Sequence, residues 1–414
     1  MKGYSFLSLA RQALGAHQGW PPAWRSPEPK KNYDVVIIGA GGHGLATAWY
    51  LAKKHAVKNI AVLDKGWLGG GNSGRNTQIT RSNYFWPQSA AFFDHSLKLY
   101  EGLSQELNFN VMLSQRGLLT LAHSQHEMEG IRRWANAIQI NEVDAEVLAP
   151  AEIKKLVPMI DLDCRFPVYG GFIQRRGGIS RHDAVVWGFA RAANALGVDI
   201  IQQCEVTGFD IQSSRVKAVN TTHGRIGADK VSFAVAGNTS QLAKMAGFRV
   251  PVTSMQLQAM VSEPVKPCLN TVLTSSVIHM YVSQSDRGEM VFGGGADVYN
   301  SYAQRGGIPL LQENVAALLE LLPAFSRLRL MRQWAGITDI TPDTTPLMGR
   351  TPVENLYISG GWGTGGYKAI PAGGDTMAYT IANDQPHPLI EDFGLERFRS
   401  GELIDEGAAS GVAH

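Results

Sequence analysis

The sequence predicts an α/β fold in two interleaved parts, a parallel sheet with flanking helices and an antiparallel-sheet (α+β) portion built from insertions. Three observations predict it. Residues 35–38 are wholly apolar and lead directly into Gly39-Ala40-Gly41-Gly42-His43-Gly44, followed by helical apolar spacing over 45–53. A second strand–glycine turn–helix unit lies far along the chain, at 355–383. Between them, residues 250–297 read as short strands with turn signals.

The run 35–38 has no polar alternation, as suits a strand covered on both faces. The turn satisfies G-x-G-x-x-G, and a second apolar strand, 60–63, ends in Asp64. Strand, glycine turn, helix, strand and acid together make the dinucleotide-binding fingerprint of a Rossmann-like unit. Gly39 permits the tight turn, Gly41 lets backbone approach a pyrophosphate, and Gly44 lets the helix lie close on the strand. Gly42 and His43 stand in the same turn, whose helix start offers N–H groups and partial positive charge to phosphates. Asp64, followed by Lys65, can accept hydrogen bonds from a ribose diol.

A glycine-rich loop, 66–77, follows and carries Asn72, Arg75, Asn76 and Thr77. It cannot be the interior of a regular element, and its backbone donors can wrap a ligand. Ile79 and Arg81 come directly after it. Helices are expected over 90–107 and 127–140, and a strand over 117–122. Residues 170–176 read as strand and turn, and 177–183 open a helix running to Leu196. Ser180 is the expected N-cap, with Asp183 three residues on, which places Arg181 and His182 in the first turn. Strands follow at 198–202, 205–210 (which includes Val206) and 230–236, then at 255–261, 279–282 and 289–293. Helix 308–322 precedes the last unit: strand 355–359, a glycine loop with Gly363, Gly366 and Lys368, and helix 372–383.

This order implies an N-terminal arm (1–32), cofactor-domain parts at 33–90, 170–240 and 331–390, substrate-domain parts at 91–169 and 241–330, and a C-terminal tail (391–414). The 414 residues suffice for two subdomains, and a net charge of +2 gives no argument for nucleic acid or an anionic membrane. No apolar run is long enough to span a bilayer. Residues 1–15 hold only a short apolar stretch broken by Arg11, a small amphipathic helix rather than a secretory signal. The arm at 18–31 carries Trp20 and Trp24, to pack either on a partner chain or on its own domain. Cys164, Cys204 and Cys268 have no metal spacing, so no metal site is expected, and a reducing cytoplasm is the simplest home.

The most specific stretches are VVIIGAGGHGLATAWYLAK, GGNSGRNTQITRSNY, GGISRHDAVVWGFARAA, ISGGWGTGGYKAIPAGG and LERFRSGELIDE. On these, over roughly residues 25–414, the chain resembles the amino-acid oxidase-like flavoproteins of the glutathione-reductase superfamily, and within them the heterotetrameric sarcosine oxidases. The resemblance implies a glutathione-reductase-type FAD-binding domain. It implies FAD held noncovalently at the first motif and FMN held covalently through His182, with Arg181 near the FMN phosphate or an anionic flavin. Arg81 and Lys368 become the candidate clamp for the substrate carboxylate. Asn76, Thr77 and Ile79 would face the isoalloxazine, and Gly363 and Gly366 its edge.

Two departures from the monomeric relatives stand out. Their flavin-linking cysteine has no counterpart in residues 343–349, which favours noncovalent FAD. Their active-site histidine is unmatched, since Gly293-Gly294-Gly295-Ala296-Asp297 occupies that region; Tyr281 and His279 stay open as contacts for the amine. The implied reaction is oxidative demethylation of sarcosine to glycine, with electrons passing from FAD to FMN and then to O2, giving hydrogen peroxide. The one-carbon unit goes to tetrahydrofolate or leaves as formaldehyde. Alpha, gamma and delta subunits would hold the folate, NAD and zinc sites. Two alternatives stay open, a dimethylglycine-type dehydrogenase and a non-catalytic flavin electron-transfer subunit.

Overall fold

The computed structural model describes residues 5–16, 18–19 and 22–406, and Trp20 lies outside them. Strand Asn32–Ile38 is the centre of the first sheet. It pairs in parallel with Ile60–Leu63 on one side and Gly224–Phe233 on the other. Asp199–Ile201 extends the sheet beyond Ile60–Leu63, and Leu356–Gly360 runs parallel to Gly224–Phe233. An antiparallel meander, Val206–Gln212 and Arg215–Thr221, leads into Gly224–Phe233. Residues 35–38 are buried on both faces, in keeping with their unbroken apolar run.

Helices Gly42–Lys54, His182–Ala195 and Ile370–Asn383 cover one face, and their apolar side chains form the largest core cluster with Val35 and Ile37. On the other face, Val36 and Ile38 pack with Val219, Phe233 and Leu242. Burying two faces of one sheet removes a large apolar area from water at roughly 25 cal/mol per Å², the main source of stability here.

A second eight-stranded sheet holds the antiparallel portion, with its own core around Leu273, Val282 and Phe292. One of its pairings is parallel, Val272–Ser275 against Leu118–Ala122. The expected divisions need correcting at two points. Gly170–Gln174 pairs with Leu118–Ala122 in this sheet, not in the cofactor domain. Leu330–Ile340 pairs along its length with Thr253–Pro264, so it too belongs here. Both were misplaced because strand pairing over long separations leaves no local mark in the sequence. Among the described residues, no helix is long and apolar enough to cross a membrane.

The N-cap assignment also needs correcting. Arg181, not Ser180, precedes the helix His182–Ala195. Ser180 follows the strand Gly178–Ile179, its N–H donates to Gln78 O (3.0 Å), and its Oγ lies 2.7 Å from the Tyr367 hydroxyl. That tertiary partner outcompetes capping. Asp183 Oδ1 instead accepts from Ala184 N–H (2.8 Å). The N-terminal helix Phe6–Leu14, capped by Ser5, has no buried residue, whereas Trp24 packs on the main core and Arg25 bonds Asn194.

Candidate functional site

A cavity of ≈ 830 Å³ runs from the first glycine turn to the second sheet. Gly39, Gly41, Gly42 and His43 line one end, with Asp64, Lys65 and Val206. Gly39 has φ +108°, and a Cβ there would run into Ala234 O. Gly44 does not line the cavity; a Cβ on it would strike Gly39 O, so its role is to let the helix close on the strand. Asp64 Oδ2 accepts from Ala40 N–H and Oδ1 from Gly66 N–H, both at 2.8 Å. Burial pushes the Asp64 pKa up, while the two N–H donors pull it back down. Gly42 N–H donates to Ser73 Oγ at 2.9 Å, a contact that no motif signals.

The loop carrying Asn72, Arg75, Asn76 and Thr77 forms one wall, with Ile79 beyond it. Asn72 ties this wall to the second sheet in both directions: Nδ2 donates to Ile337 O (2.6 Å) and Oδ1 accepts from Ile337 N–H (2.9 Å). Trp334 Nε1 donates to Arg75 O at 2.6 Å. Tyr281 and His279 reach the cavity from that sheet. Burial pushes the Tyr281 pKa up to about 12, so its hydroxyl is a neutral donor at ordinary pH.

Arg81 and Lys368 both line the same cavity. Arg81 Nη1 donates to Asn83 Oδ1 (2.6 Å), and its guanidinium lies 4.6 Å from the Tyr84 ring centroid. Lys368 is only 7% exposed, and its Nζ donates to Thr364 O at 2.9 Å. Burial, then the charge of Arg81, holds the Lys368 pKa well below its ordinary value. Arg81 and Lys368 face one cavity, and an anion between them would favour the charged form of Lys368.

Gly363 and Gly366 shape the far wall. Gly363 has φ +49°, with open space where a side chain would stand. His43 stacks on Trp362 at 4.1 Å, and its Nε2 donates to Gly366 O (2.8 Å), locking the first turn to the second. Burial lowers the His43 pKa to about 4, so the ring is neutral.

Arg181 and His182 do not line this cavity. Arg181 makes a bidentate ion pair with Asp183 (Nη2–Oδ2 2.7 Å, Nε–Oδ1 3.1 Å). His182 Nδ1 is buried with no hydrogen-bond partner, and burial lowers the ring's pKa. The two places are joined: Tyr367, beside Lys368, donates to Ser180 O at 2.9 Å.

A family profile described as DAO, FAD dependent oxidoreductase, matches residues 34–380. The chain is 52% identical over 415 residues to sarcosine oxidase subunit beta of Rhodobacter capsulatus, covering 100% of each. It is 53% identical over 393 residues to that of Arthrobacter sp, covering 94% of this chain and 97% of the relative. The chain belongs to the sarcosine oxidase beta-subunit family of FAD-dependent oxidoreductases. It is a flavin-dependent oxidase. The fold matches that of L-proline dehydrogenase from P. horikoshii, with a TM-score of 0.85 at 26% identity over 91% of this chain and 100% of that one.

One cavity is lined both by the fingerprint residues Gly39, Gly41, Gly42 and Asp64 and by Arg81 and Lys368, and a Cβ at Gly39 or Gly42 would strike Ala234 O or Ile370 and distort the turn. Sequence reasoning missed Asp339, which also lines the cavity. Its Oδ2 accepts from Gly361 N–H at 2.6 Å, and its backbone O accepts from Gly363 N–H at 2.8 Å. Burial pushes its carboxyl up to about 7, against the pull of the Gly361 and Trp362 N–H groups. Nothing in T-D-I-T-P-D marks Asp339 above Asp343, because its partners come from a loop over twenty residues on.

Proposed function

We propose that the chain binds FAD noncovalently in the main cavity and oxidises sarcosine there. Bound FAD would supply the two-electron acceptor. The observation that carries the reading is the placement of Arg81 and Lys368 on the wall of the cavity that begins at the fingerprint turn. Arg81, oriented by Asn83 and Tyr84, can grip a carboxylate with parallel N–H donors, and Lys368 adds a point charge. Together they would hold sarcosine by its one anionic group and leave the amine end toward the redox ring. Tyr281 and His279 are the polar groups nearest in kind for the amine. We take the chemistry as loss of hydride from the N-methyl carbon rather than carbanion chemistry.

FMN would be linked to His182. A neutral, desolvated imidazole with an unpartnered Nδ1 is chemically suited to alkylation, and Arg181 stands beside it for phosphate. A flavin held there would supply the chemistry for passing electrons on to O2 as hydrogen peroxide. The imine product hydrolyses to glycine and formaldehyde, or passes its carbon to tetrahydrofolate in a partner subunit. We place the alpha, gamma and delta partners, with NAD and zinc, outside this chain, and the complex in the cytoplasm. The test uses the assembled complex. With O2 as sole acceptor, sarcosine turnover yields stoichiometric peroxide, and acid-precipitated protein gives a flavin-bearing His182 peptide. Flavin reduction with little peroxide would favour the dehydrogenase alternative, and fully loaded enzyme without flavin on that peptide would remove the FMN assignment.

A further inference from the structure

The segment 401–406 leaves helix Arg397–Ser400 and runs back into the molecule, where Ile404 and Glu406 are buried. Two anchors hold it. Arg397 and Asp343 form a buried bidentate ion pair (Nε–Oδ2 2.7 Å, Nη2–Oδ1 3.0 Å), and Glu406 N–H donates to Asp343 O at 3.1 Å. At the other end, Glu406 Oε1 accepts from Trp86 N–H (2.9 Å) and Oε2 from Phe85 N–H (3.2 Å). Trp86 Nε1 returns a bond to Asp405 O at 2.7 Å. The strap therefore grips the loop that carries Arg81, just before helix Pro87–Glu106 begins. Tyr84, beneath the Arg81 guanidinium, is itself stacked on Phe93 of that helix at 3.6 Å.

We propose that Glu406 is a positioning residue for Arg81: by pinning Phe85 and Trp86, the strap sets where the guanidinium meets the substrate carboxylate. This rests on the reading of Arg81 as the carboxylate grip. Glu406 does not line the cavity, and it acts through the loop. The sign of the effect separates this role from a charge effect. Removing a negative charge beside Arg81 would by itself tighten anion binding, whereas a displaced guanidinium weakens it.

The experiment measures the sarcosine dissociation constant from anaerobic flavin reduction in the assembled, FAD-loaded complex. Glu406→Ala and the isosteric Glu406→Gln are each made alone and together with Arg81→Gln. We expect Glu406→Ala to weaken sarcosine about tenfold and Glu406→Gln about threefold, with the limiting reduction rate within about twofold. In the Arg81→Gln background, neither should change binding further. Tighter or unchanged binding in Glu406→Gln, or equal weakening in both backgrounds, would overturn the proposal. If Glu406→Ala fails to assemble, Glu406→Gln decides the matter. If Arg81→Gln itself leaves sarcosine binding intact, the reading of Arg81 falls, and the strap proposal falls with it.

Discussion

The turn at 39–44 is held by its own backbone and by partners from the segment that follows it, whereas the turn at 361–366 is shaped by side chains from other elements, His43 among them from far along the chain. In the first, Gly39 adopts a left-handed φ, Gly44 packs on Gly39 O, and Asp64 and Ser73 accept from Ala40 and Gly42 N–H. In the second, Asp339 holds Gly361, Thr338 Oγ1 donates to Gly363 O (2.8 Å), and His43 Nε2 donates to Gly366 O. Both face one cavity, yet only the second sits beside a candidate substrate cation, Lys368. The difference teaches that the cofactor end is locally encoded, while the reactive end depends on three chain segments meeting.

Breaking the first turn should have the largest effect. Gly44→Val drives a branched side chain against Gly39 O, an overpacking cost at or above the usual ~1–3 kcal/mol because the atom met is backbone. Expression should give flavin-free or unfolded chain, read as FAD absorbance per chain and as the thermal midpoint. Normal FAD content would show that the turn tolerates a wider helix approach.

The second turn should fail more gently. Asp339→Ala leaves the Gly361 and Trp362 N–H groups without their acceptor, a cost of ~1–3 kcal/mol for each donor left buried. FAD binding should weaken while the first turn holds. Because the Asp339 pKa is raised in the folded state, the folded chain binds the extra proton. Its stabilising share is present below pH 3.8 and is lost as pH rises through about 7. Urea midpoints should therefore fall across that window, and Asp339→Asn should flatten the slope. An equal slope in Asp339→Asn would assign the pH dependence to other groups.

Much of the first turn was legible because strand, glycines and acid are neighbours in sequence. The interleaved α/β architecture was legible for the same reason, from strand–turn–helix units repeated along the chain. Asp339, Ser73 and Glu406 were not, since each acts on a partner at long sequence separation or through a backbone N–H that any residue supplies. Ser180 misled because a serine before a helix satisfies the capping pattern, and only tertiary structure shows Tyr367 claiming its hydroxyl. Arg181 and His182 lie outside the cavity for a related reason: the helix start that carries them is reached through Tyr367 rather than across the main wall.

Two smaller effects sharpen the comparison. Lys368 is held below its ordinary pKa, and a bound carboxylate would raise it, so binding takes up a proton. Affinity for a simple carboxylate without an amine, such as propionate, should rise as pH falls between the free and bound pKa values of Lys368. Lys368→Met should weaken that binding and remove its Lys368-linked pH dependence. At the cofactor end, Asp64→Asn keeps one acceptor for the turn, so FAD affinity should drop by about tenfold or less, ~1 kcal/mol, measured by flavin titration of apoprotein.

Arg81 is proposed to meet a carboxylate over a flavin. This is tested most directly by propionate binding to the FAD-loaded complex, followed as a flavin spectral shift, in wild type and Arg81→Gln. Loss of a charge-assisted pair worth ~2–5 kcal/mol should weaken binding at least about thirtyfold, with the FAD content unchanged. Equal affinity in the two proteins would contradict the account.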